Sequence, residues 1–542
     1  MAGRAGRQYL GLDASTQSLS AVVVEVAGDG PAKVVLESSL NFDEALPHYG
    51  TRHGVLPRAD SASATSSPLM WAEALDRLLP RLAGAGLDPG RLAAISGSAQ
   101  QHGSVYLNAR ATGALARFDP SLPLAPQLAP LLSRSVAPIW MDTSTSVQCA
   151  SITSAVGGAA ALGARTGSRA FERFTGPQIR KFATEDPGGY AATDRIHLVS
   201  SFMASLLAGG HAPLEPGDAS GTNLMDLRER QWWDAALDAT APGLEAKLPP
   251  IAASWTIVGR LSPYWQARHG LPAAKIAAWS GDNPCTLIGV GLVREGRVAI
   301  SLGTSDTVFG LMKDPHVDRS GTGHVFGSPT GDYMGLTCFS NGSLARERIR
   351  DAFGLSWPDV SRILRSTLPG NDGRVLIPWF EPEITPPVLI PCVHRYRLSP
   401  DDAAGNVRGV IEAQMMARAI HSRWMGIEID TIHATGGAAV NLEILRVMAD
   451  VFGAAVHHFP TTNSAALGAA LRAWHADALD EGHPLPWEAV TSAVRPDSAV
   501  RIAPDPNARA IYRRLLPLYA ACEAHALGRG PDPTGALETM QT

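Results

Sequence analysis

The sequence predicts an α/β protein built from two similar domains with a ligand cleft between them. Two strand–turn–strand segments indicate this fold: QYLGLDASTQSLSAVVVEV at residues 8–26 and RVAISLGTSDTVFGLM at residues 297–312. Each pairs β-rich runs around a polar turn, which is typical of a hairpin, and each heads one half of the chain. At 542 residues the chain also exceeds what one hydrophobic core usually serves. We therefore predict duplicated domains at 1–293 and 294–542, divided near Gly291–Gly296.

The signals for strands and helices follow one another along the first half. After the first hairpin, KVVLESSLNFD extends the sheet, and His48–Pro68 is predicted as a loop from its Gly, Pro and Ser content. The segment PLMWAEALDRLLPRLAGAGLD has helical apolar spacing and ends at a glycine. LAAISGSAQQHGSVYL then predicts strand, turn and strand, so Gln101 and His102 lie at a strand edge. In PIWMDTSTSVQCASI a strand runs into a helix, with Asp142 at the junction.

The remaining elements lead up to and beyond the second hairpin. Thr193–Leu207 is predicted to be helical, and EPGDASGTNLMDL is predicted as a loop and short strand. KIAAWSGDNPCTLIGVGL predicts a strand, a Gly-Asp-Asn-Pro turn and the start of a helix, because Pro284 can occupy an early helical position. The Gly- and Pro-rich end of the chain, from about Leu527, is predicted to be a frayed tail.

The composition and charge of the chain exclude several classes of protein. An apolar content of 45% and a charged content of 18% are typical of globular proteins. The net charge of −5 argues against nucleic-acid binding, which needs an excess of Lys and Arg. The five cysteines form no C-x-x-C pair, which indicates free thiols in a reducing compartment and no zinc site. With neither a signal peptide nor a membrane-spanning run, we predict a cytoplasmic protein.

Three short segments rich in small residues carry the strongest functional signal. They are GLDASTQS at Gly11–Ser18, SLGTSDT at Ser301–Thr307 and ATGGAAVN at Ala434–Asn441. Small residues next to a strand let backbone N–H groups approach an anion closely, and hydroxyl groups add further donors. Each segment alone is typical of an ordinary turn. All three, in this order and spread over both halves, are hard to explain as turns.

In order and composition these segments resemble the two phosphate motifs and the adenosine motif of the FGGY carbohydrate kinases. That resemblance implies two actin-like (ribonuclease H-like) ATPase domains. Further segments, among them SGSAQQHGSVY, TGSRAFERFTGPQI, SGDNP and FEPEITP, are similar to the xylulose kinases of this family, and the similarity runs from about residue 9 to residue 524. It implies ATP- and Mg²⁺-dependent phosphorylation of the 5-hydroxyl of D-xylulose. One departure is that the stretch after FTGP is QIRKF, without the lysine–tryptophan pair of many members.

The resemblance also implies roles for individual residues. Asp282, in the SGDNP turn, matches the catalytic base, and Asp13 matches the residue that holds Mg²⁺ through water. The implied sugar contacts are His102, Arg173, Asp282, Asn283 and Gln101. The implied ATP contacts are Ser15, Thr16 and Gln17 under the γ-phosphate, Gly303, Thr304 and Ser305 in the second phosphate loop, and Gly436, Gly437, Asn441 and Trp357 around the adenosine.

Simpler structural explanations stand beside these roles. Asp282 can cap a helix that begins at Pro284, since Asp is favoured there. Arg173 can belong to a surface salt bridge, and Trp357 is equally compatible with a place in the core. Asp306 and Asp142 have no role that the sequence decides, although Asp306 is suited to ordering the second phosphate loop.

Two other functions remain open at this stage. One is another FGGY kinase, acting on ribulose, gluconate, fuculose or glycerol. The other is a non-catalytic actin-like protein that uses ATP to switch shape, although such a protein needs no GDNP carboxylate beside a QQHG edge. The sequence leaves the oligomeric state, monomer or homodimer, undetermined.

Overall fold

A computed structural model describes residues 6–27, 32–58, 60–458, 463–494 and 500–540. The elements before Gly291 are β1 (Arg7–Ala14), β2 (Ser18–Val26), β3 (Ala32–Asn41), α1 (Phe42–Ala45), β4 (Thr65–Ser66), α2 (Pro68–Ala85), β5 (Leu92–Ala99), β6 (Ser104–Asn108), α3 (Ala111–Ala114), α4 (Leu124–Leu128), β7 (Ala137–Pro138), α5 (Ser146–Ala155), α6 (Ala159–Thr166), α7 (Thr175–Glu185), α8 (Pro187–Ala192), β8 (Thr193–Leu198), α9 (Val199–Ala208), α10 (Pro216–Ala219), β9 (Met225–Asp226), β10 (Gln231–Trp232), α11 (Asp234–Thr240), β11 (Ile257–Arg260), α12 (Pro263–His269), β12 (Lys275–Ala277), β13 (Ser280–Gly281) and α13 (Asp282–Gly289).

The elements beyond Gly291 are β14 (Arg297–Leu302), β15 (Asp306–Met312), β16 (His324–Gly327), β17 (Tyr333–Phe339), α14 (Ser343–Ala352), α15 (Trp357–Ser366), β18 (Val375–Trp379), β19 (Cys392–Tyr396), α16 (Ala403–His421), β20 (Thr431–Thr435), α17 (Leu442–Phe452), β21 (Ala455–His458), α18 (Ser464–Asp480), α19 (Trp487–Ser492), β22 (Val500–Ile502), α20 (Pro506–Ala526) and α21 (Thr534–Leu537). Short 3₁₀ turns connect several of them.

Two sheets with the same strand order form the framework, as the paired hairpins predicted. The first runs β3-β2-β1-β5-β12-β11, with β13 also pairing with β5. The second runs in the corresponding order β17-β15-β14-β20-β21-β22, with β16 added beyond β17. In each sheet an antiparallel hairpin continues into parallel strands, β1 beside β5 and β14 beside β20. An antiparallel strand, β11 or β22, then closes that edge. The chain is therefore an α/β protein with a repeated fold unit, each unit packed around its own hydrophobic core.

Helix α18 joins the two halves, because it lies beyond the predicted boundary yet packs against the first sheet. It contacts β1, β2, β5 and α13. Its approach to α13 depends on a glycine in each helix. A Cβ on Gly468 would lie 1.9 Å from Cys285 O, and one on Gly289 would lie 1.9 Å from Ser464 O. Any side chain at either position would force the helices apart, so this glycine pair fixes one contact between the halves.

Two predictions about secondary structure are wrong. Thr193–Leu198 forms strand β8, antiparallel to β6, and the helix begins only at Val199. The strand partner offered by β6 outweighs the helical spacing of the segment. The end of the chain is not a frayed tail, because Leu537 is fully buried and Met540 is 4% exposed. The Arg397 side chain also donates a hydrogen bond of 2.8 Å to the carbonyl of Leu537.

Other predicted elements differ only in detail. The loop predicted at His48–Pro68 includes the two-residue strand β4, and the loop predicted before β9 includes the short helix α10. Within the described ranges, no single helix is long and apolar enough to cross a membrane, and one bent pair, α5 with α6, meets that test of length and composition.

Candidate active site

The predicted base, Asp282, and the predicted Mg²⁺ residue, Asp13, lie at the carboxyl ends of parallel strands in the first sheet. Asp13 on β1 is level with Ser98 on β5, and Ser98 is level with Ser280 on β13. Asp282 follows two residues later, at the start of α13. In open α/β sheets this edge is where ligands bind. The sheet therefore brings together two acidic residues that are far apart in the sequence.

Asp282 is held from one side only. Its Oδ1 accepts hydrogen bonds from the backbone N–H of Asn283 (2.7 Å) and from Asn283 Nδ2 (2.9 Å). Among the described residues, only Asn283 and the backbone of Asp282 itself donate to this carboxylate. The helix begins at Asp282 with Gly281 as its N-cap, so Asp282 is the first helical residue and not the cap of a helix that begins at Pro284, although it does satisfy one backbone N–H of the first turn. Burial raises the pKa of Asp282 to about 7, and the negative charge of Asp13 adds to the effect. Such a carboxylate is poised to accept a proton near neutral pH.

Asp13 has the character of a cation ligand. Its Oδ1 is buried and has no hydrogen-bond partner among the described residues, and burial raises the pKa of this carboxyl to about 6. No cluster of three or more possible metal ligands occurs in the described part of the chain. A site with so few carboxylates fits Mg²⁺, which keeps several waters and takes other ligands from phosphate oxygens.

The first predicted phosphate segment forms the turn between β1 and β2. The backbone N–H of Ser15 donates to Ser18 O (3.0 Å), and Thr16 Oγ1 accepts a hydrogen bond of 2.8 Å from Trp140 Nε1. Gln17 is exposed at the tip of the turn. The turn thus follows Asp13 directly, and its hydroxyl groups lie at the same edge of the sheet.

The second phosphate loop, Gly303–Ser305, links β14 to β15 and is hydrogen-bonded to the start of α14. Ser343 N donates to Gly303 O (2.8 Å), while Thr304 and Ser305 remain exposed. Asp306, directly after the loop, is fully buried and pairs with Arg346 (3.0 Å) and Arg418 (2.9 Å). These two ion pairs occupy the carboxylate of Asp306 and tie the end of the loop to α14 and α16.

A cavity of about 800 Å³ lies beside this loop. Its lining includes Gly303, Thr304, Trp357, Gly437 and Asn441. Trp357 therefore faces the cavity and is only half-buried. Asn441 caps α17, and its Nδ2 donates to Ser361 Oγ (3.0 Å). The cavity brings the predicted adenosine residues together with the second phosphate loop.

The backbone conformation of position 436, next to this cavity, requires a glycine. Its φ is +85°, and a Cβ there would lie 2.6 Å from Leu302 O. Both the left-handed conformation and the close approach favour glycine. This contact sets the end of β20 against the end of β14, so the adenosine segment and the phosphate loop share one sheet edge.

Three of the predicted sugar-binding residues, Asn283, Gln101 and His102, are polar neighbours held against the segment Gly217–Gly221. Asn283 Nδ2 donates to Gln101 Oε1 (2.9 Å), and Gln101 Nε2 donates to Gly217 O (3.4 Å). His102 lies 2.9 Å by its Nδ1 from Gly221 O. Because a carbonyl can only accept, Nδ1 carries the proton and Nε2 is left as an acceptor. Burial lowers the pKa of His102 to about 3, and the charge of Arg173 adds to the effect.

Arg173 lies beside this group without a carboxylate partner. None of the ion pairs among the described residues includes it, so the surface salt bridge considered for Arg173 is wrong. Its guanidinium packs over the rings of Phe171 (5.2 Å) and Phe174 (5.9 Å). Loss of solvation lowers its pKa. A half-buried guanidinium with free N–H donors suits hydroxyl or carbonyl oxygens of a ligand.

Asp142 and the QIRKF stretch have structural contacts. Asp142 accepts hydrogen bonds from Ala64 N (2.9 Å) and Gln178 Nε2 (2.8 Å). In QIRKF, Lys181 Nζ donates to Ser144 Oγ (2.8 Å). These contacts fasten α7 to the segment that precedes α5.

Sequence reasoning missed two parts of the site. The segment Glu215–Gly221 supplies the carbonyls that hold Gln101 and His102, and it contains two fully buried carboxylates. His324, on β16, contacts Arg173. The burial of Glu215 and Asp218 is decided by the fold, and no local pattern in the sequence marks His324.

Comparison with known proteins agrees with this arrangement. Residues 132–289 match the model of the FGGY family of carbohydrate kinases, N-terminal domain, and residues 298–476 match that of the C-terminal domain. The chain is 43% identical over 546 residues to a xylulose kinase of Mus musculus, covering 98% of this chain and 97% of the relative. A xylulose kinase 2 of Arabidopsis thaliana is 42% identical, covering 86% of this chain and 87% of the relative.

Solved structures share the fold at lower identity. A xylulose kinase from Rhodospirillum rubrum aligns with a TM-score of 0.78 at 19% identity, covering 96% of this chain and 99% of that one. A glycerol kinase from Plasmodium falciparum, solved with ADP, aligns with a TM-score of 0.73 at 16% identity, covering 97% and 99%. The repeated sheets thus form the two-domain actin-like (ribonuclease H-like) fold. The protein belongs to the FGGY family of carbohydrate kinases.

Proposed function

We propose that this kinase transfers the γ-phosphoryl group of ATP to the 5-hydroxyl of D-xylulose, giving D-xylulose 5-phosphate and ADP. The observation that carries the proposal is the carboxylate of Asp282. Asn283 holds one of its oxygens (2.7 Å), no other described side chain donates to the carboxylate, and burial raises its pKa to about 7. The relatives of 42–43% identity that are named xylulose kinases support the choice of sugar.

The first sheet would supply the acceptor site. Asp282 takes the proton of the attacking hydroxyl group, and Asn283 keeps the carboxylate in place. His102 Nε2 accepts a hydrogen bond from another sugar hydroxyl, while Arg173 donates to an oxygen of the sugar. Gln101 orients Asn283 through their shared hydrogen bond of 2.9 Å. This division of donors and acceptors suits a polyhydroxylated ligand.

The second sheet and the first turn would supply the ATP site. Gly303, Thr304 and Ser305 offer donors to the phosphates, and Ser15, Thr16 and Gln17 do so from the opposite side. The adenosine would occupy the cavity of about 800 Å³, against Trp357, Gly436, Gly437 and Asn441. Asp13 would hold Mg²⁺, which neutralises phosphate charge when it is bound.

We further propose the division at 1–293 and 294–542 and a cytoplasmic location. The division is supported by the repeated strand order and by the two family matches. The match to the N-terminal domain ends at residue 289, and the match to the C-terminal domain begins at residue 298. The packing of α18 on the first sheet means that the second unit also contributes a helix to the first. Free cysteines in the described structure are compatible with a reducing compartment.

A panel of acceptors tests the proposal. ADP release is measured at saturating ATP and Mg²⁺ with D-xylulose, D-ribulose, L-fuculose, gluconate and glycerol, and the sugar phosphate is identified by mass spectrometry. We expect the highest kcat/KM with D-xylulose and no turnover when Mg²⁺ is chelated. A higher value with another acceptor would assign a different kinase activity. ATP turnover independent of sugar, with no sugar phosphate formed, would favour the ATP-driven switch.

A further inference from the structure

His324 connects the second half of the chain to the sugar side of the site. It lies on β16, an edge strand of the second sheet, and is 2% exposed. Its Nε2 is 3.2 Å from Arg173 Nη2, and its Nδ1 is 3.1 Å from Ser168 Oγ. The imidazole therefore stands between a serine of the first half and the guanidinium predicted to contact the sugar.

The partners of the ring decide where its proton lies. A guanidinium has N–H donors and no acceptor, so Nε2 of His324 must accept from Arg173. In a neutral imidazole the proton is then on Nδ1, from which it donates to Ser168 Oγ. A protonated ring would turn a donor toward the Arg173 donor. Burial and the charge of Arg173 lower the pKa of His324 well below its usual value, which favours the neutral form.

No other described side chain forms a hydrogen bond with the Arg173 guanidinium. The rings of Phe171 and Phe174 lie 5.2 and 5.9 Å from the guanidinium carbon. Cation–π contacts of this kind hold the charge near the rings without fixing the direction of any N–H group. The hydrogen bond from Nη2 to His324 adds that direction, so the other N–H groups are presented in one orientation.

The backbone of β16 is anchored at two positions directly after His324. Val325 N donates to Gly167 O (3.0 Å), and Gly327 N donates to Ser220 Oγ (2.8 Å). Both acceptors belong to segments of the first half that border the sugar-binding group. A strand of the second sheet is thereby fixed against the sugar pocket, and His324 is held in register with Arg173.

We propose that His324 is a positioning residue for sugar recognition, acting through the Arg173 guanidinium, which it holds by accepting a hydrogen bond at Nε2. The inference rests on the proposed function. It adds that a residue of the second half sets the geometry of a sugar contact supplied by the first half.

Two substitutions separate the contacts of the ring. His324→Gln retains an oxygen where Nε2 stood and can still accept from Arg173. His324→Asn retains an amide near the Nδ1 position, toward Ser168, and loses the acceptor for Arg173. We expect His324→Asn to raise the KM for D-xylulose by about 3- to 10-fold, the range for loss of one hydrogen bond. The KM for ATP and the kcat should change little, and His324→Gln should lie closer to the wild type.

A double-mutant cycle distinguishes positioning from a general structural role. If His324 acts through Arg173, adding His324→Asn to Arg173→Ala should change the KM for D-xylulose by less than about twofold. His475→Asn is a matched control, because His475 is buried (6% exposed) and stacks on Trp487 (3.9 Å), away from the sugar-binding group. Thermal unfolding of all variants is measured in parallel.

Each outcome decides the inference. A wild-type KM in His324→Asn, or an increase that persists in full without Arg173, overturns it. If a different sugar raises ADP production, the proposed function is wrong, and the same cycle run with that sugar decides the role of His324. A protein that phosphorylates none of the sugars overturns both.

Discussion

The substitution Asp282→Asn tests the chemistry most directly. An asparagine has nearly the same shape, and its Oδ1 can still accept from the backbone N–H of Asn283, a bond of 2.7 Å in the structure. What disappears is the site that receives the hydroxyl proton. General-base catalysis typically contributes about 10²- to 10⁴-fold, which corresponds to about 3–5.5 kcal/mol in the activation barrier. We expect kcat to fall by that factor while the affinities for D-xylulose and ATP are retained.

The pH dependence of the same pair of proteins adds a second, independent measurement. Burial and Asp13 raise the pKa of Asp282 to about 7, and only the deprotonated carboxylate can act as a base. Wild-type turnover should therefore rise with pH through about 7 and level off above it. Asp282→Asn should lack this rise, since its amide does not titrate.

A coupled assay of ADP release from pH 5.5 to 8.5, with coupling enzymes in excess, measures both effects. Calorimetric titration with D-xylulose and with ATP checks that the variant still binds its substrates. Turnover of Asp282→Asn within tenfold of the wild type, or the same pH profile in both proteins, would refute the assignment of Asp282 as the base.

Three further predictions concern binding, domain closure and the phosphate loop. His102→Ala and Arg173→Ala should each raise the KM for D-xylulose and leave the KM for ATP nearly unchanged, because a polar group left unpaired costs about 1–3 kcal/mol of binding free energy. A change in ATP binding alone would mean that these residues do not belong to the sugar site. D-xylulose with a non-hydrolysable ATP analogue should reduce the radius of gyration more than either ligand alone, because both ligands together close the two domains and exclude water that would otherwise accept the phosphoryl group. Small-angle scattering that shows one radius in all four ligand states would contradict closure. Asp306→Asn should lower the melting temperature, because loss of one partner from a buried ion pair costs about 3–5 kcal/mol. It should also raise the KM for ATP and leave the Mg²⁺ dependence of turnover unchanged, whereas a changed Mg²⁺ requirement would make Asp306 a metal ligand.

The sequence alone determined the elements whose cause is local. Both hairpins and the helix starting at Pro68 follow from β-rich runs, apolar spacing and terminal glycines, all within about twenty residues. The small-residue segments after β1, β14 and β20 were recognisable for the same reason. Each of these turns depends on small residues in the turn itself and needs few side-chain partners, so it can be recognised from the sequence without knowing what packs against it.

Partners far away in the sequence decided the rest. Thr193–Leu198 is a strand because β6 pairs with it. The ion-pair partners of Asp306, Arg346 and Arg418, come from positions 40 and 112 residues further along the chain. His324 reaches Arg173 across 151 residues. The raised pKa of Asp282 likewise comes from burial and from Asp13 on another strand. Hydrogen bonds, ion pairs and loss of solvation depend on distance in space, which only the packing of the two sheets establishes.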